Sequence, residues 1–495
     1  MSAGRSRIFE GATHKSPYRR PDHTHKGNKP CCTKPAAGAL IASMADPVPH
    51  VLRLHDTHAR EKRQFTPLDP QNVRVYFCGP TVYDRAHLGN LRAMMCADIL
   101  VRLLRVLYPQ VTYARNVTDV DDKITARAKE NGEDISALTA RTTEAFHEDL
   151  ASLGILPPDI EPRATHHIPE MLDMIGRLIE SGHAYEAEGH VLFAVRNFPS
   201  YGELSGRSLD DMIAGARVEV APYKRDPGDF VLWKPSNPDQ PGWESPYGRG
   251  RPGWHIECSA MSHRYLGESF DIHGGGDDLL FPHHENERAQ SLCCYPGSKF
   301  ATHWLHNGML LSNGEKMSKS LGNFFTIREV LEKSPAEPLR FLYLGAHYRS
   351  TLDFTWDKLE EARRILDRLY RALERGDAQQ GADVPATVLD ALCDDLNTPL
   401  AIAALHPLAD AAMQGDQEAA SGLLAAGKQL GLFQVSPAEW FRSGVDASAI
   451  EALIEERLAA RKARNFARAD EIRNQLAADG ITLEDGPGGT TWRKA

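Results

Sequence analysis

The sequence predicts an α/β protein: a parallel sheet with connecting helices, interrupted by an inserted domain and followed by an all-helical region. Three observations carry this. From about Asn72, short β-rich runs alternate with helical stretches. Turn-rich sequence from about Pro162 to Gly250 interrupts the rhythm, which resumes at Ser269. Beyond about Leu352 the chain is nearly all helical in pattern, with Ala, Leu and Arg dominant. At 495 residues the chain exceeds one ordinary domain and suggests about three.

Taken in order, residues 1–43 differ from everything after them. They carry eight Lys or Arg against Glu10 and Asp22, with Pro, Gly and His but no apolar period, so disorder is expected. Targeting segments are also basic and poor in acids, but this one lacks an amphipathic helix. An appended tail or a misplaced start fits better, with Met44 a natural beginning. Val73-Arg74-Val75-Tyr76-Phe77 reads as a strand, broken by Cys78-Gly79-Pro80. Leu91, Met94, Met95, Ile99, Leu103 and Leu107 then share a helix face. Val111 to Asn116 is the next strand and Asp121 to Lys129 a further helix, which makes a βαβ unit whose ligands bind at the carboxyl ends of its strands. Ser269 to His273 resumes the sheet and Gly274-Gly275-Gly276 is expected to stop it, before a helix from Pro282 to Cys294.

Composition excludes several classes. No run of about 18 apolar residues occurs, so no membrane-spanning segment is expected. A net charge of −10 argues against a protein that coats nucleic acid, although a local basic patch can still steer a polyanion. Eight irregularly spaced cysteines, without any CxxC pair, fit a reducing cytoplasm and no disulfide framework.

Two short motifs bear on chemistry. His87-Leu88-Gly89-Asn90 lies at a predicted helix start, where unpaired backbone N–H groups and positive partial charge attract phosphate. Lys316-Met317-Ser318-Lys319-Ser320 follows a hairpin turn at Ser312 to Glu315, and its lysines can stabilise charge developing on a phosphoryl group. Alone, the first also reads as a capped turn and the second as a solvated basic loop. Cys78, Cys258, His283 and Glu287 form a third set, in which His283 and Glu287 lie four apart on one helix face. Two thiolates, an imidazole and a carboxylate suit Zn²⁺. Spacing cannot join them, because 180 residues separate the cysteines.

The pairing of HLGN early in a βαβ unit with KMSKS more than 200 residues later resembles the signatures of class I aminoacyl-tRNA synthetases. FCGPTVYD (77–84), RNVTDVDDKI (115–124), GWHIECSAM (253–261) and FDIHGGGDDLLFPHHENE (270–287) resemble the cysteinyl-tRNA synthetase family in particular, over about Val51 to Trp492. The resemblance implies a Rossmann-type catalytic domain in two halves (44–161 and 251–310), split by a connective domain (162–250). A KMSKS-loop and stem-contact region (311–355), a helical bundle (356–440) and an anticodon-binding region (441–495) would follow. It implies ATP-phosphate binding by His87, Gly89 and Asn90. Lys319, with Lys316, would stabilise charge as the amino-acid carboxylate attacks the α-phosphate of Mg-ATP. Asn90 stands where the family signature usually has His, so no charged group is available there. The implied zinc ligands, one ion per chain, are Cys78, Cys258, His283 and Glu287. The implied cysteine pocket is Gly79, Thr118, Trp254, His273 and Asp278. ATP, L-cysteine and tRNA(Cys) are the implied partners, and a monomer the implied state.

A metal would answer a selectivity problem. A hydrophobic pocket rejects a near-isostere by only about 100-fold, whereas protein synthesis needs about 10⁴ to 10⁵. Zinc holds a soft thiolate at about 2.3 Å and leaves the harder serine hydroxyl uncoordinated. In the helical half, Arg457, Arg461, Arg464 and Arg468 fall on one stripe if a single helix runs through them, which fits contact with tRNA phosphates. Glu455, Glu456, Asp470 and Glu471 flank the stripe, so a salt-bridged surface is the plain alternative. Two rival functions remain: a cysteine–amino sugar ligase of mycothiol synthesis, whose family lacks the helical anticodon region, and a catalytically silent RNA-binding paralogue.

Overall fold

Val73–Phe77, Val111–Arg115, Ser269–Gly276 and Phe300–Asn307 form a four-stranded parallel sheet in the computed structural model, which describes residues 50–208, 221–318, 321–442, 447–486 and 489–494. The tail expected over residues 1–43 lies outside these residues. In space the strands run 300–307, 269–276, 73–77, 111–115. Val73, Val75 and Phe77 are buried, as are Tyr113, Phe270 and Ile272, because a parallel sheet is covered on both faces. The chain leaves Val73–Phe77 for a neighbour on one side and later adds a neighbour on the other. The strand order therefore reverses between Val73–Phe77 and Ser269–Gly276, and a crevice opens at their carboxyl ends.

The three glycines do not stop their strand, which runs through Gly276. They provide clearance. A Cβ at Gly274 would enter the Phe77 ring, and one at Gly275 would come within 2.8 Å of the His284 ring. The helix Leu88–Leu107 is buried well beyond the expected face, including Arg92 and Asp98. Its far side meets the helical region.

Residues 168–252 carry a helix, Ile168–Glu180, and an antiparallel sheet of Ala184–Ala187, His190–Phe193, Phe230–Pro235 and Gly250–Pro252. Met171, Ile175 and Leu178 share a core with Phe193 and Trp233, and that core continues into Ile256 and Ala289 beside the crevice. Asp122 ties this sheet to the second βα connection through Lys234 at 2.7 Å and Arg251 at 2.9 Å. Leu310–Ser312 and Glu315–Lys316 form a hairpin whose turn residues Asn313 and Gly314 have φ of 53° and 77°, as a type I′ turn requires.

The helical half is not separate. Leu100 and Leu104 share one core with Leu342, Leu366, Leu405 and Phe433. At its centre Arg340, wholly buried, donates to the Asp98 carboxylate, to Leu430 O at 2.7 Å and to Leu153 O at 3.1 Å. Nor is it helical to its end. Gly480, at φ 73°, follows the helix Phe466–Ala478, and β-branched residues then form the hairpin Ile481–Gly486/Gly489–Lys494. The arginine stripe is also broken. Arg464 has φ 60° in the turn between Ala447–Lys462 and Phe466–Ala478. Arg457 is buried in a two-pronged pair with Asp485 at 2.8 and 2.9 Å, and Arg461 reaches the same carboxylate at 3.0 Å. Arg468 holds Glu456 and Glu471, each at 2.8 Å. Arg457 and Arg461 thus join their helix to the hairpin and Arg468 joins the two helices, so the geometry favours the salt-bridged alternative over a phosphate-binding stripe.

Candidate active site and metal centre

Cys78 leaves the sheet directly after Phe77, at the switch point. Gly253 caps the helix Trp254–Leu266, on which Trp254 and Cys258 are one turn apart. His283 and Glu287 face together at the start of the helix Glu285–Cys294. Three separate elements thus deliver four donor atoms, all within 4.8 Å of one another and all on buried residues. The two sulfurs lie 3.7 Å apart, Cys78 Sγ lies 3.4 Å from Glu287 Oε1, and His283 Nε2 lies 2.9 Å from the same oxygen. The donor set and its burial fit a zinc ion.

Electrostatics prepare the same groups. The Cys78 thiol donates to Cys258 and, with His283 beside it, lowers the Cys258 thiol to about 6. Burial raises the Cys78 thiol well above its ordinary value. Burial opposes charge on His283, but Glu287 and Cys258 outweigh it and raise the imidazole to about 10. Burial likewise opposes charge on Glu287, and His283 and His273 overcome it to hold the carboxyl well below its usual range. His255, 2.9 Å from His283 through their Nδ1 atoms, is lowered to about 3 by burial and by that charge.

A cavity of about 480 Å³ runs from this cluster to the helix Leu88–Leu107. Cys78, Gly79, Trp254 and Asp278 line one part, and His87, Gly89, Asn90 and Lys316 line another. Trp254, 39% exposed, stacks on His283 with centroids 4.2 Å apart. His87 and Asn90 cap their helix reciprocally: His87 Nδ1 accepts from Asn90 N at 3.3 Å and Asn90 Oδ1 accepts from His87 N at 3.1 Å. With Nδ1 an acceptor, the neutral ring carries its proton on Nε2. A Cβ at Gly89 would come within 2.8 Å of the His87 ring, so glycine lets that ring lie against the helix start. Lys319 lies outside the described residues.

Two expected pocket residues sit off the cavity wall. His273 is wholly buried, 2.9 Å from Glu287 Oε2 and stacked on Trp304. Thr118 pairs through its backbone with Pro80 and Val82, while its hydroxyl donates to buried Glu257 at 2.9 Å. Sequence reasoning missed Asn116, whose Oδ1 accepts from Gly79 N at 2.9 Å and lies 3.6 Å from the Cys258 sulfur. It also missed Arg85 and Lys123, which line the cavity. Asn116 and Lys123 stand inside RNVTDVDDKI and Arg85 directly follows FCGPTVYD, but no local pattern says which of these side chains turn inward.

The family description "tRNA synthetases class I (C) catalytic domain" matches residues 64–364, "DALR domain" matches 387–434, and "Cysteinyl-tRNA ligase anticodon binding domain" matches 447–493. A cysteine–tRNA ligase of Gluconobacter oxydans is 88% identical over 91% of this chain and 100% of its own length. Those of Acidiphilium cryptum and Rhodospirillum rubrum are 63% and 62% identical, each over 90% of this chain and covering 99% and 100% of the relative. The fold is shared with a Mycobacterium tuberculosis methionyl-tRNA synthetase solved with methionyl-adenylate, at TM-score 0.52 and 14% identity, over 73% of this chain and 89% of that one. An Agrobacterium radiobacter LeuRS–tRNA–LeuAMS complex matches at TM-score 0.55 and 11% identity, over 77% and 86%. A class I catalytic core over the parallel sheet, a helical region behind it and near-complete coverage of these relatives agree: the chain belongs to the cysteinyl-tRNA synthetase family of class I aminoacyl-tRNA synthetases.

Proposed function

We propose that this protein activates L-cysteine with Mg-ATP to cysteinyl-adenylate and then transfers the cysteinyl group to the terminal ribose of tRNA(Cys). The observation that carries the reading is the meeting of Cys78, Cys258, His283 and Glu287 in a cluster whose Cys78 reaches the wall of a cavity, the other part of which holds His87, Asn90 and Lys316. Bound by those four residues, zinc would hold the substrate's thiolate and so reject serine. The remaining work falls to the chain itself. Asp278, exposed at the cavity, provides a carboxylate for the substrate ammonium, and Gly79 lines the same part, its lack of a side chain making room for the Asn116 carbonyl, 1.6 Å from where a Cβ would stand. His87 Nε2–H, Asn90 and the helix N-terminus bind ATP phosphates. Lys316 and Lys319 stabilise charge as the carboxylate attacks the α-phosphate and pyrophosphate leaves. The substrate brings its own nucleophile, so the protein acts by positioning and by charge stabilisation.

The match over residues 447–493 favours tRNA over an amino sugar as acceptor, since the sugar ligases lack that region. The test is ATP–pyrophosphate exchange with cysteine and serine, followed by acceptor assays with tRNA and with the amino sugar. Exchange with serine within about tenfold of cysteine, against the 10⁴ or more that protein synthesis needs, defeats the zinc argument. Charging of the sugar alone transfers the chain to the rival ligase, and neither acceptor supports a silent paralogue.

A further inference from the structure

We propose that the metal pocket contains a second, overlapping position, formed by Cys78, His273, His284 and Glu287, that retains a divalent ion when Cys258 cannot bind it. The inference rests on the zinc reading above and extends it. One donor atom from each of these four buried residues lies within 4.8 Å of the others. Cys78 and Glu287 belong to both sets, so a single ion can occupy only one position at a time.

Three observations point to a ligand here. His284 Nε2 is buried without a hydrogen-bond partner, a costly arrangement for a polar atom unless something else meets it. Its other nitrogen, Nδ1, lies 2.7 Å from His306 Nε2, and His306 Nδ1 lies 2.9 Å from Thr57 Oγ1. That chain lets Nδ1–H donate toward the protein and leaves the Nε2 lone pair bare, which is how metal-binding histidines are usually oriented. Gly275 keeps this edge of the ring clear, since any Cβ there would come within 3.1 Å of Nε2. Charge agrees as well. Cys78 thiolate and Glu287 carboxylate balance a dication, whereas the first set carries an additional thiolate and one net negative charge in a buried place. With one sulfur in place of two, the second position is the weaker for a soft ion.

The test uses the full-length protein, with zinc measured by elemental analysis after dialysis and cobalt substitution read optically. Wild type, Cys258→Ala, Cys258→Ser, His284→Gln and Cys258→Ala/His284→Gln are compared, with folding checked by circular dichroism. Wild type and His284→Gln should hold one equivalent. Both Cys258 variants should keep it, with the sulfur-to-cobalt band about halved as one thiolate replaces two. The double variant should lose it. A folded Cys258 variant without metal, or a double variant that retains a full equivalent, overturns the second position and leaves the first intact. Metal-free wild type instead removes the zinc reading itself.

Discussion

Arg340→Met should destabilise the protein by about 3 kcal/mol, at the lower end of what breaking a buried ion pair costs. The guanidinium is wholly buried and serves three acceptors: the Asp98 carboxylate and the carbonyls of Leu430 and Leu153. Methionine fills much of the volume but leaves both carbonyls without that donor, each worth about 1–3 kcal/mol if unsatisfied. Asp98 keeps Arg102 at 2.9 Å and Leu156 N at 2.8 Å, which is why the lower end applies. Urea unfolding at pH 7 measures the loss as a shift in midpoint at unchanged slope. The pH dependence has a definite sign. Burial raises the Asp98 carboxyl, but Arg340 and Arg102 outweigh it and hold it below its ordinary value. Its contribution is thus complete above the unfolded carboxyl value of about 4 and is lost as pH falls through the lower folded value. The gap between wild type and variant should therefore narrow in acid. A loss below about 1 kcal/mol, the ceiling of an exposed pair, or a gap that widens on acidification refutes the reasoning.

Three further outcomes are expected. Lys319→Ala should abolish ATP–pyrophosphate exchange while zinc content stays at one equivalent; unchanged exchange removes the role given to that lysine. Gly274→Ala should cost about 1–3 kcal/mol by driving a methyl into the Phe77 ring, and Phe77→Leu in the same chain should recover part of it in thermal melts. The affinity of the metal-free protein for zinc should climb with pH from 7 to 8, roughly 100-fold, because two protons must leave. One is on His283, held up at about 10 by Glu287 and Cys258 against burial, and the other on Cys78, held up by burial. A flat profile in calorimetric titrations counts against this protonation state.

Local patterns disclosed the sheet well. Val73–Phe77 and Val111–Arg115 were legible because β-branched and aromatic residues dominate both, Val73, Val75, Tyr76 and Phe77 in one and Val111, Thr112 and Tyr113 in the other. The Gly274–Gly276 run misled because glycine usually punctuates, whereas here it yields room to rings from Phe77 and His284, residues remote in sequence or on another element. The union of the Leu88–Leu107 helix with the bundle was hidden for a similar reason: a helix buried beyond one stripe has no face that names its partner. The arginines near 460 looked like an RNA stripe because Asp485, their shared counter-charge, arrives from a hairpin more than twenty residues later. At the candidate metal centre, only His283 and Glu287 carry a local spacing signal. Cys78 and Cys258 meet them through the switch point of the sheet, which no window of sequence contains.

The distribution of cores bears on how the chain can be cut and recombined. Ile450, Ile454, Ile472, Leu476, Ile481 and Trp492 make a small nucleus of their own, while the bundle before them shares its interior with the helix Leu88–Leu107. A chimaera that exchanges residues 447–494 for the equivalent module of another relative would retain the main interior whole. A truncation at residue 356 would strip Leu100 and Leu104 of their cover and yield an insoluble fragment. Modularity in this protein therefore begins at the last two helices and not at the boundary where the helices start.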